Sequence, residues 1–147
     1  MNIRESVLDE RTVEALIALS VDWERENCSY GYRRNGRGDL EGNRIFLAEE
    51  NGEMIGYLFG KTEKTEKETS IMPEGTDCFE VEELYVKPSY RSRGVGSALF
   101  RYAEEAVRSE AGFIVLGTAT KNFRSILHFY IDELGMEFWS ARLFKKL

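Results

Sequence analysis

The chain is short of the residue types that metal sites and disulfide frameworks require. Among its 147 residues are only two cysteines, Cys28 and Cys78, and one histidine, His128. A structural zinc site needs about four such ligands, so we expect no metal. The cysteines lie far apart without a C-x-x-C partner, which favours two free thiols. His128 falls within an amphipathic helical pattern, which favours a packing or surface role over a Ser-His-Asp triad.

Long apolar runs and excess positive charge are missing as well. No apolar segment approaches the roughly 20 residues of a membrane span, so we expect no membrane partner. Acidic residues outnumber basic ones by 26 to 20, and the formal net charge of −6 argues against general nucleic-acid binding, which needs a basic face. The first residues run directly into charged sequence rather than a signal-peptide apolar segment, so we expect a cytoplasmic protein.

What is present is the composition of a soluble globular domain. Hydrophobic residues make up 42% of the chain and charged residues 31%, and two prolines with 13 glycines argue against a disordered or fibrous chain. The length corresponds to a single domain over residues 1–147, at roughly 100–200 residues per domain.

Hydrophobic periodicity predicts a mixed α/β order of elements. Strands are predicted at residues 2–8, 44–50, 53–60, 78–86 and 113–119, with one or two more in 136–147. Helices are predicted at 10–23, from Ser97 to about residue 110, and at 126–134. Asp9 has the character of a helix N-cap, and Asn51-Gly52 is typical of a two-residue hairpin. The stretch from Trp23 to Asn43 is predicted as a loop or short helix.

A glycine-bearing turn, Arg91-Ser92-Arg93-Gly94-Val95-Gly96-Ser97, has the features of an anion-binding site. Gly94 and Gly96 let the backbone turn tightly and approach a ligand closely. The helix that follows exposes free N–H groups and the positive end of its dipole, and its first turn, Ser97 to Phe100, contains no acid. The dinucleotide fingerprint fails at Leu99, and no lysine follows Gly96 as a Walker loop requires. The alternative is a turn that only lets the helix pack on the sheet.

With its flanks, this turn resembles the signature of the GNAT acetyltransferase superfamily. The superfamily pattern Arg/Gln-x-x-Gly-x-Gly/Ala matches Arg91 to Gly96. Leu84-Tyr85-Val86-Lys87-Pro88 stands in the place of the superfamily's L-x-V-x-P strand end, and Ser97-Ala98-Leu99 opens the next helix. The resemblance covers about residues 79–136, and it implies one GNAT-type domain with a central, twisted, mostly antiparallel sheet flanked by helices.

The resemblance also implies acetyl-CoA as the acyl donor, with no metal. Loop amides would hold the pyrophosphate, and the end of strand 78–86 would offer backbone groups to the pantetheine arm. The donor-binding residues implied in this way are Tyr85, Val86, Arg91, Arg93, Gly94, Val95, Gly96, Ser97 and Asn122.

Acetyl transfer to an amine needs a base, because a lysine-like amine with a pKa of about 10.4 is mostly protonated at neutral pH. Strand alternation predicts one face with Glu80, Glu82, Leu84 and Val86 and another with Val81, Glu83 and Tyr85. Similar GNAT enzymes often carry a catalytic carboxylate on this strand, which makes Glu82 and Glu80 the candidate bases. The alternative is a set of carboxylates paired with arginine or placed at a sheet edge.

The leaving thiolate benefits from an acid, and Tyr130 is the candidate. The family pattern N-x-x-A-x-x-F-Y-x-x-x-G-F is similar to Asn122, Ser125, Phe129, Tyr130 and Gly135. The spacing departs from it, because Tyr130 follows Asn122 by eight residues rather than seven and precedes Gly135 by five rather than four. Tyr130 is therefore either the thiol proton donor or a core aromatic.

The resemblance implies an acceptor pocket built by the region after the first helix and by loops near the final strands, and the aromatic and acidic residues there suit a cationic amine. The residues chosen are Trp23, Tyr30, Tyr32 and Glu83, although arginines in the same stretch make its charge mixed. The predicted function is direct acetyl transfer from acetyl-CoA to a primary amine of a small, cationic molecule. A protein or peptide N-acetyltransferase and a non-catalytic acyl-CoA-binding regulatory module remain alternatives, and the aromatic C-terminal segment could support a homodimer.

Overall fold

The computed structural model describes all 147 residues and contains one five-stranded sheet. Its strands are β1 (Asn2–Ser6), β2 (Arg44–Glu50), β3 (Glu53–Lys64), β4 (Asp77–Val86) and β5 (Phe113–Val115). They lie side by side in chain order; β1 to β4 pair antiparallel, and β5 pairs parallel to β4. The predicted mixed α/β class with a mostly antiparallel sheet is confirmed.

The helices are α1 (Glu10–Glu26), α2 (Arg37–Leu40), α3 (Val95–Val107) and α4 (Phe123–Leu127), and a π-helical segment (His128–Glu133) continues α4. Asp9 caps α1 as predicted, because its carboxylate accepts a hydrogen bond of 2.8 Å from the Thr12 amide. No helix combines the length and the apolar character that a membrane crossing requires.

The sheet separates two apolar cores. On one face α3 packs over buried side chains that include Phe46, Leu58 and Phe79, with Leu99 and Phe100 contributed by the helix. On the other face α1 packs over a second cluster, whose members include Leu16, Leu47, Tyr57, Phe59 and Tyr85. Residues of β3 and β4 therefore face different helices according to their position in the pleat.

A β-bulge on β4 changes that pleat and corrects the predicted faces. Phe59 pairs with Glu83 and Gly60 with Val81, so Glu82 is an extra residue without a partner on β3. Val81 consequently packs into the α3 core, whereas Glu83 turns toward the α1 side. The prediction that Val81 shares a face with Glu83 is wrong, because one inserted residue inverts the alternation beyond it.

The final predicted strands are absent. Residues 137–147 have no regular secondary structure and make no backbone hydrogen bonds, and Phe138, Leu143 and Phe144 are exposed. The strand predicted at 113–119 is also shorter, since it ends at Val115. A strand needs a neighbour that pairs with its backbone along several residues, and these segments have no such neighbour.

Candidate functional site

The main cavity lies where β4 and β5 separate. β5 pairs with β4 only from Cys78 to Glu80, and the two chains then diverge. The gap has a volume of about 630 Å³ and is bounded by β4 residues 81–86, residues 116–120, the start of α3, the π-helical segment and the chain after α1. The end of the pairing ladder therefore creates the site.

Most residues predicted for the site line this cavity: Trp23, Tyr30, Tyr32, Glu82, Glu83, Tyr85, Val86, Arg91, Gly94, Val95, Gly96, Ser97, Asn122 and Tyr130. Two predicted residues lie elsewhere. Glu80 borders a second cavity of about 410 Å³ beside Trp139. Arg93 is exposed next to the loop, with its guanidinium carbon 5.5 Å from the centre of the Tyr90 ring.

The glycine turn presents unpaired backbone donors at one end of the cavity. Gly94 occupies the N-cap position of α3 with a left-handed φ of 81°, a conformation that favours glycine. The amides of Val95, Gly96 and Ser97 have no acceptor within the chain, since the first helical hydrogen bond runs from Ala98 to Gly94. The first turn of α3 also contains no acid, so these amides have the chemistry to bind an anion.

Gly96 also needs to be small for a packing reason. A Cβ at this position would lie 3.3 Å from Cζ of Phe129 and 3.8 Å from Cγ2 of Val86. The absent side chain lets the π-helical segment approach the start of α3 and keeps the loop backbone open to the cavity.

Arg91 is held by the protein itself. Its guanidinium donates to both carboxylate oxygens of Glu26, at 2.7 and 2.9 Å, and its Nε donates to the Val86 carbonyl at 2.8 Å. The Tyr85 hydroxyl donates to the same carboxylate at 2.6 Å. Burial would raise the pKa of Glu26, but the hydrogen bonds from Arg91 and Tyr85 hold it below its ordinary value. The side chain of Arg91 therefore ties the end of α1 to the end of β4.

Glu83, which also lines the cavity, is the centre of a polar cluster. Its Oε1 accepts hydrogen bonds from the hydroxyls of Tyr57 at 2.7 Å and Tyr32 at 3.0 Å, and from Nδ2 of Asn35 at 3.0 Å. Burial raises the pKa of Glu83 above its ordinary value, although the three hydrogen bonds work in the other direction. This half-buried carboxylate makes no ion pair within the chain.

Stacked aromatic rings stand beside this carboxylate. The Trp23 ring lies between Tyr32, at a centroid distance of 4.2 Å, and Tyr85, at 5.3 Å. Tyr30 is more exposed, and its ring meets Phe144 edge-on at 5.6 Å. A carboxylate next to aromatic faces is an environment that favours a cation.

Tyr130 reaches the cavity from the π-helical segment. Its ring packs near Phe129 and Phe100, at centroid distances of 5.1 and 6.2 Å, and its hydroxyl has no hydrogen-bond partner in the chain. Burial raises the pKa of Tyr130 to about 12. The Leu134 amide bonds to the Phe129 carbonyl five residues earlier, and such a π-turn takes up one of the extra residues in the spacing.

Asn122 occupies the N-cap position of α4, and its side-chain amide makes no hydrogen bond within the chain. Nearby, a short bridge crosses one side of the cavity. The Tyr30 amide donates to the Ala119 carbonyl at 2.9 Å, and the Lys121 amide donates to the Cys28 carbonyl at 2.8 Å. This bridge joins the chain after α1 to the chain after β5.

Two residues of the site were not predicted from sequence: Tyr57 and Asn35. Tyr57 pairs with Tyr85 in the middle of the sheet, and a tyrosine in a central strand is a signal, since its buried hydroxyl needs a partner. Asn35 carries no comparable signal, because its partner Glu83 lies 48 residues away in sequence.

Comparison with known proteins agrees with this architecture. Residues 6–136 match the family model described as the acetyltransferase (GNAT) family. An uncharacterised N-acetyltransferase of Lactobacillus delbrueckii subsp. lactis is 26% identical over 103 residues, which are 70% of this chain and 57% of that protein. The chain thus spans little more than half of that relative's length.

Solved structures show the same fold at low sequence identity. A mutant protein of Bacillus halodurans superposes with a TM-score of 0.74 at 17% identity, covering 100% of this chain and 99% of that one. The aminoglycoside 6′-N-acetyltransferase of Acinetobacter haemolyticus superposes with a TM-score of 0.67 at 18% identity, covering 100% and 98%.

Proposed function

The chain belongs to the GNAT acetyltransferase family, and we propose that it transfers the acetyl group of acetyl-CoA directly to the primary amine of a small, cationic molecule. The observation that carries the proposal is one cavity lined both by the free amides at the start of α3 and by a carboxylate beside aromatic rings. Such a cavity can bring an anionic donor and a cationic acceptor together.

The start of α3 fits the phosphates of acetyl-CoA. The amides of Val95, Gly96 and Ser97 are free to donate hydrogen bonds to the phosphate oxygens. Glycine at position 96 keeps this backbone accessible, since a Cβ there would be crowded by Phe129. Arg93 is exposed beside them and can supply a positive charge, while Arg91 shapes the loop through Glu26. Asn122 has a free amide for the pantetheine arm. When bound, acetyl-CoA supplies an activated thioester.

The acceptor amine would bind at Glu83, between the carboxylate and the stacked rings of Trp23 and Tyr32. Glu83 attracts the ammonium ion and then removes its proton, which the amine must lose before it can attack. We favour Glu83 over the other two glutamates of β4. Glu82 lines the cavity but is exposed, and Glu80 lies outside it.

Two further groups suit the reaction. The side of β4 that faces the gap has no strand partner beyond Glu80, so its amides can donate to the carbonyl oxygen as negative charge develops there. Tyr130 is protonated at neutral pH, as a tyrosine with the ordinary pKa of about 10 already is, and burial raises its pKa further to about 12. Its free hydroxyl can therefore donate a proton to the departing sulfur.

Backbone hydrogen bonds across one side of the cavity favour a small acceptor over a polypeptide. The hydrogen bonds between Tyr30 and Ala119 and between Lys121 and Cys28 cover the gap on the α1 side, where an extended peptide would need an open groove. A volume of about 630 Å³ lies within the range of small-molecule sites.

The test is an amine panel of polyamines, aminoglycosides, amino-acid amides and lysine peptides, assayed by release of the CoA thiol. Glu83→Gln, Glu82→Gln and Glu80→Gln are compared, with the exposed Glu66→Gln as the matched control. We expect turnover of a small cationic amine, and a loss of about 100-fold or more in kcat/KM for Glu83→Gln. Full activity of Glu83→Gln would assign the base elsewhere.

Two other results would favour the remaining alternatives. Selective turnover of peptides would indicate a protein N-acetyltransferase, and tight acetyl-CoA binding without turnover of any amine would indicate a binding module. The donor site has its own variant, Gly96→Arg, whose side chain would fill the loop beside Phe129. We expect this variant to lose acetyl-CoA binding in calorimetry; unchanged affinity would place the donor elsewhere.

A further inference from the structure

We propose that Tyr57 and Asn35 are positioning residues that hold the Glu83 carboxylate so that only its Oε2 atom receives the proton of the acceptor amine. The inference rests on the proposed function, because it concerns how the proposed base is set. It adds an atom-level assignment and two residues that take no direct part in the chemistry.

The two oxygens of Glu83 have different environments. Oε1 accepts hydrogen bonds from Tyr57, Tyr32 and Asn35, at 2.7, 3.0 and 3.0 Å, whereas Oε2 accepts none within the chain. Three donors saturate the lone pairs of one carboxylate oxygen. An incoming proton therefore finds a free lone pair only on Oε2, and Glu83 lines the cavity.

Two of the three donors are fixed by the fold. Tyr57 is fully buried in the middle of β3, directly opposite Tyr85 of β4. Asn35 is buried, and its backbone amide donates at 3.0 Å to the Ser20 hydroxyl of α1, which in turn donates to the Ile17 carbonyl at 2.7 Å. Tyr32, by contrast, is half-buried and stacks on Trp23 at the cavity wall. Tyr57 and Asn35 thus fix the orientation of the Glu83 carboxylate, and Tyr32 faces the proposed position of the acceptor.

The proton transfer balances with these groups alone. One N–H bond of the ammonium breaks, the proton forms a bond with Oε2, and the electron pair stays on nitrogen, where it can attack the thioester carbonyl. Oε1 keeps its three hydrogen bonds throughout, so the carboxyl group does not need to rotate.

The neighbours of Glu83 that donate hydrogen bonds to it stay neutral in the acidic pH range, whereas Glu83 itself titrates there. Tyr57 faces Glu83 from β3, and Tyr32 faces it from the loop between α1 and α2. Burial raises the pKa of both phenols, so they remain neutral. Asp39 of α2 raises the pKa of Glu83 by repulsion. From α1 the neutral Ser20 hydroxyl acts on this cluster through Asn35. The acidic limb of a pH–rate profile should therefore report Glu83.

The experiment measures kcat/KM against pH for Tyr57→Phe and Asn35→Ala with the best amine of the panel. Removing a donor disfavours the charged carboxylate, so we expect the acidic limb to move upward by about one pH unit in each variant. Above the limb, activity should return to within about 3-fold of the wild type. Tyr102→Phe, on an exposed part of α3 away from the cavity, is the matched control with no shift.

The outcomes separate this inference from the proposed function. If Glu83→Gln is inactive but both positioning variants lose activity equally at every pH with an unmoved limb, the two residues have only a structural role and the inference is overturned. If Glu83→Gln is fully active, the proposed base itself is wrong. Should Tyr57→Phe unfold, as judged by circular dichroism, the profile of Asn35→Ala decides the question alone.

Discussion

Replacing Gly60 with alanine tests how the β4 bulge controls the site. Gly60 pairs with Val81 at the bulge, and a Cβ there would lie 2.1 Å from the carbonyl oxygen of Glu80 and 3.0 Å from its carbonyl carbon. The obstructing atoms belong to the backbone of the neighbouring strand, so no side-chain rotation can relieve the contact. The two strands must separate locally by about 1 Å, and overpacking of this kind is destabilising.

We expect Gly60→Ala to lower the free energy of unfolding by about 3 kcal/mol, at the upper end of the range for overpacked interiors. The assay is urea unfolding followed by tryptophan fluorescence. Gly38→Ala is the matched control, because a Cβ in α2 would have no atom within 4 Å. Alanine is the better helix former, so the control should gain about 0.5–1 kcal/mol.

The same variant should lose activity under conditions where it stays folded, because the bulge turns Glu83 toward the α1 side. A loss of less than about 1 kcal/mol with normal kcat/KM would refute the reasoning. Such a result would mean that the strands adjust without disturbing the bulge, and that the position of Glu83 does not depend on it.

Three further predictions concern the core and the site. Phe100→Ala should lower the free energy of unfolding by about 3–5 kcal/mol in urea, because its fully buried ring supports the α3 core. Burial raises the pKa of Glu83, so its contribution to stability is complete below about pH 4.5 and is lost as pH rises through the folded-state value. Glu83→Gln should therefore melt like the wild type near pH 4 and at a higher temperature near pH 7; equal melting at both would contradict the burial argument. Tyr130→Phe should lower kcat without changing acetyl-CoA affinity, and an unchanged kcat would leave Tyr130 as a core aromatic.

Local signals in the sequence were sufficient for most of the elements. Asp9 starts a helix because its side chain bonds to an amide three residues on, and Asn51-Gly52 makes a hairpin because both residues adopt positive φ. The loop from Arg91 to Ser97 was recognisable for the same reason: glycines, free amides and the first helical turn are consecutive in the chain. Each of these features depends on neighbours within a few residues.

Predictions that depended on distant partners did less well. Strict alternation placed Val81 and Glu83 on one face, and only the pairing of β4 with β3 reveals the bulge between them. The apolar tail had the pattern of strands, but a strand also requires a neighbour to pair with.

By itself, the sequence determined the α/β class, the family and the position of the glycine turn before α3, because each depends on the order and spacing of residues close together in the chain. The tertiary structure decided what surrounds each charge. The fold pairs Arg91 with Glu26. It brings the side chains of Tyr32, Asn35 and Tyr57 within hydrogen-bonding distance of one oxygen of Glu83, and it places Glu80 outside the main cavity. The protonation and reach of a carboxylate depend on groups within a few ångströms, and in this fold those groups come from segments far apart in the chain.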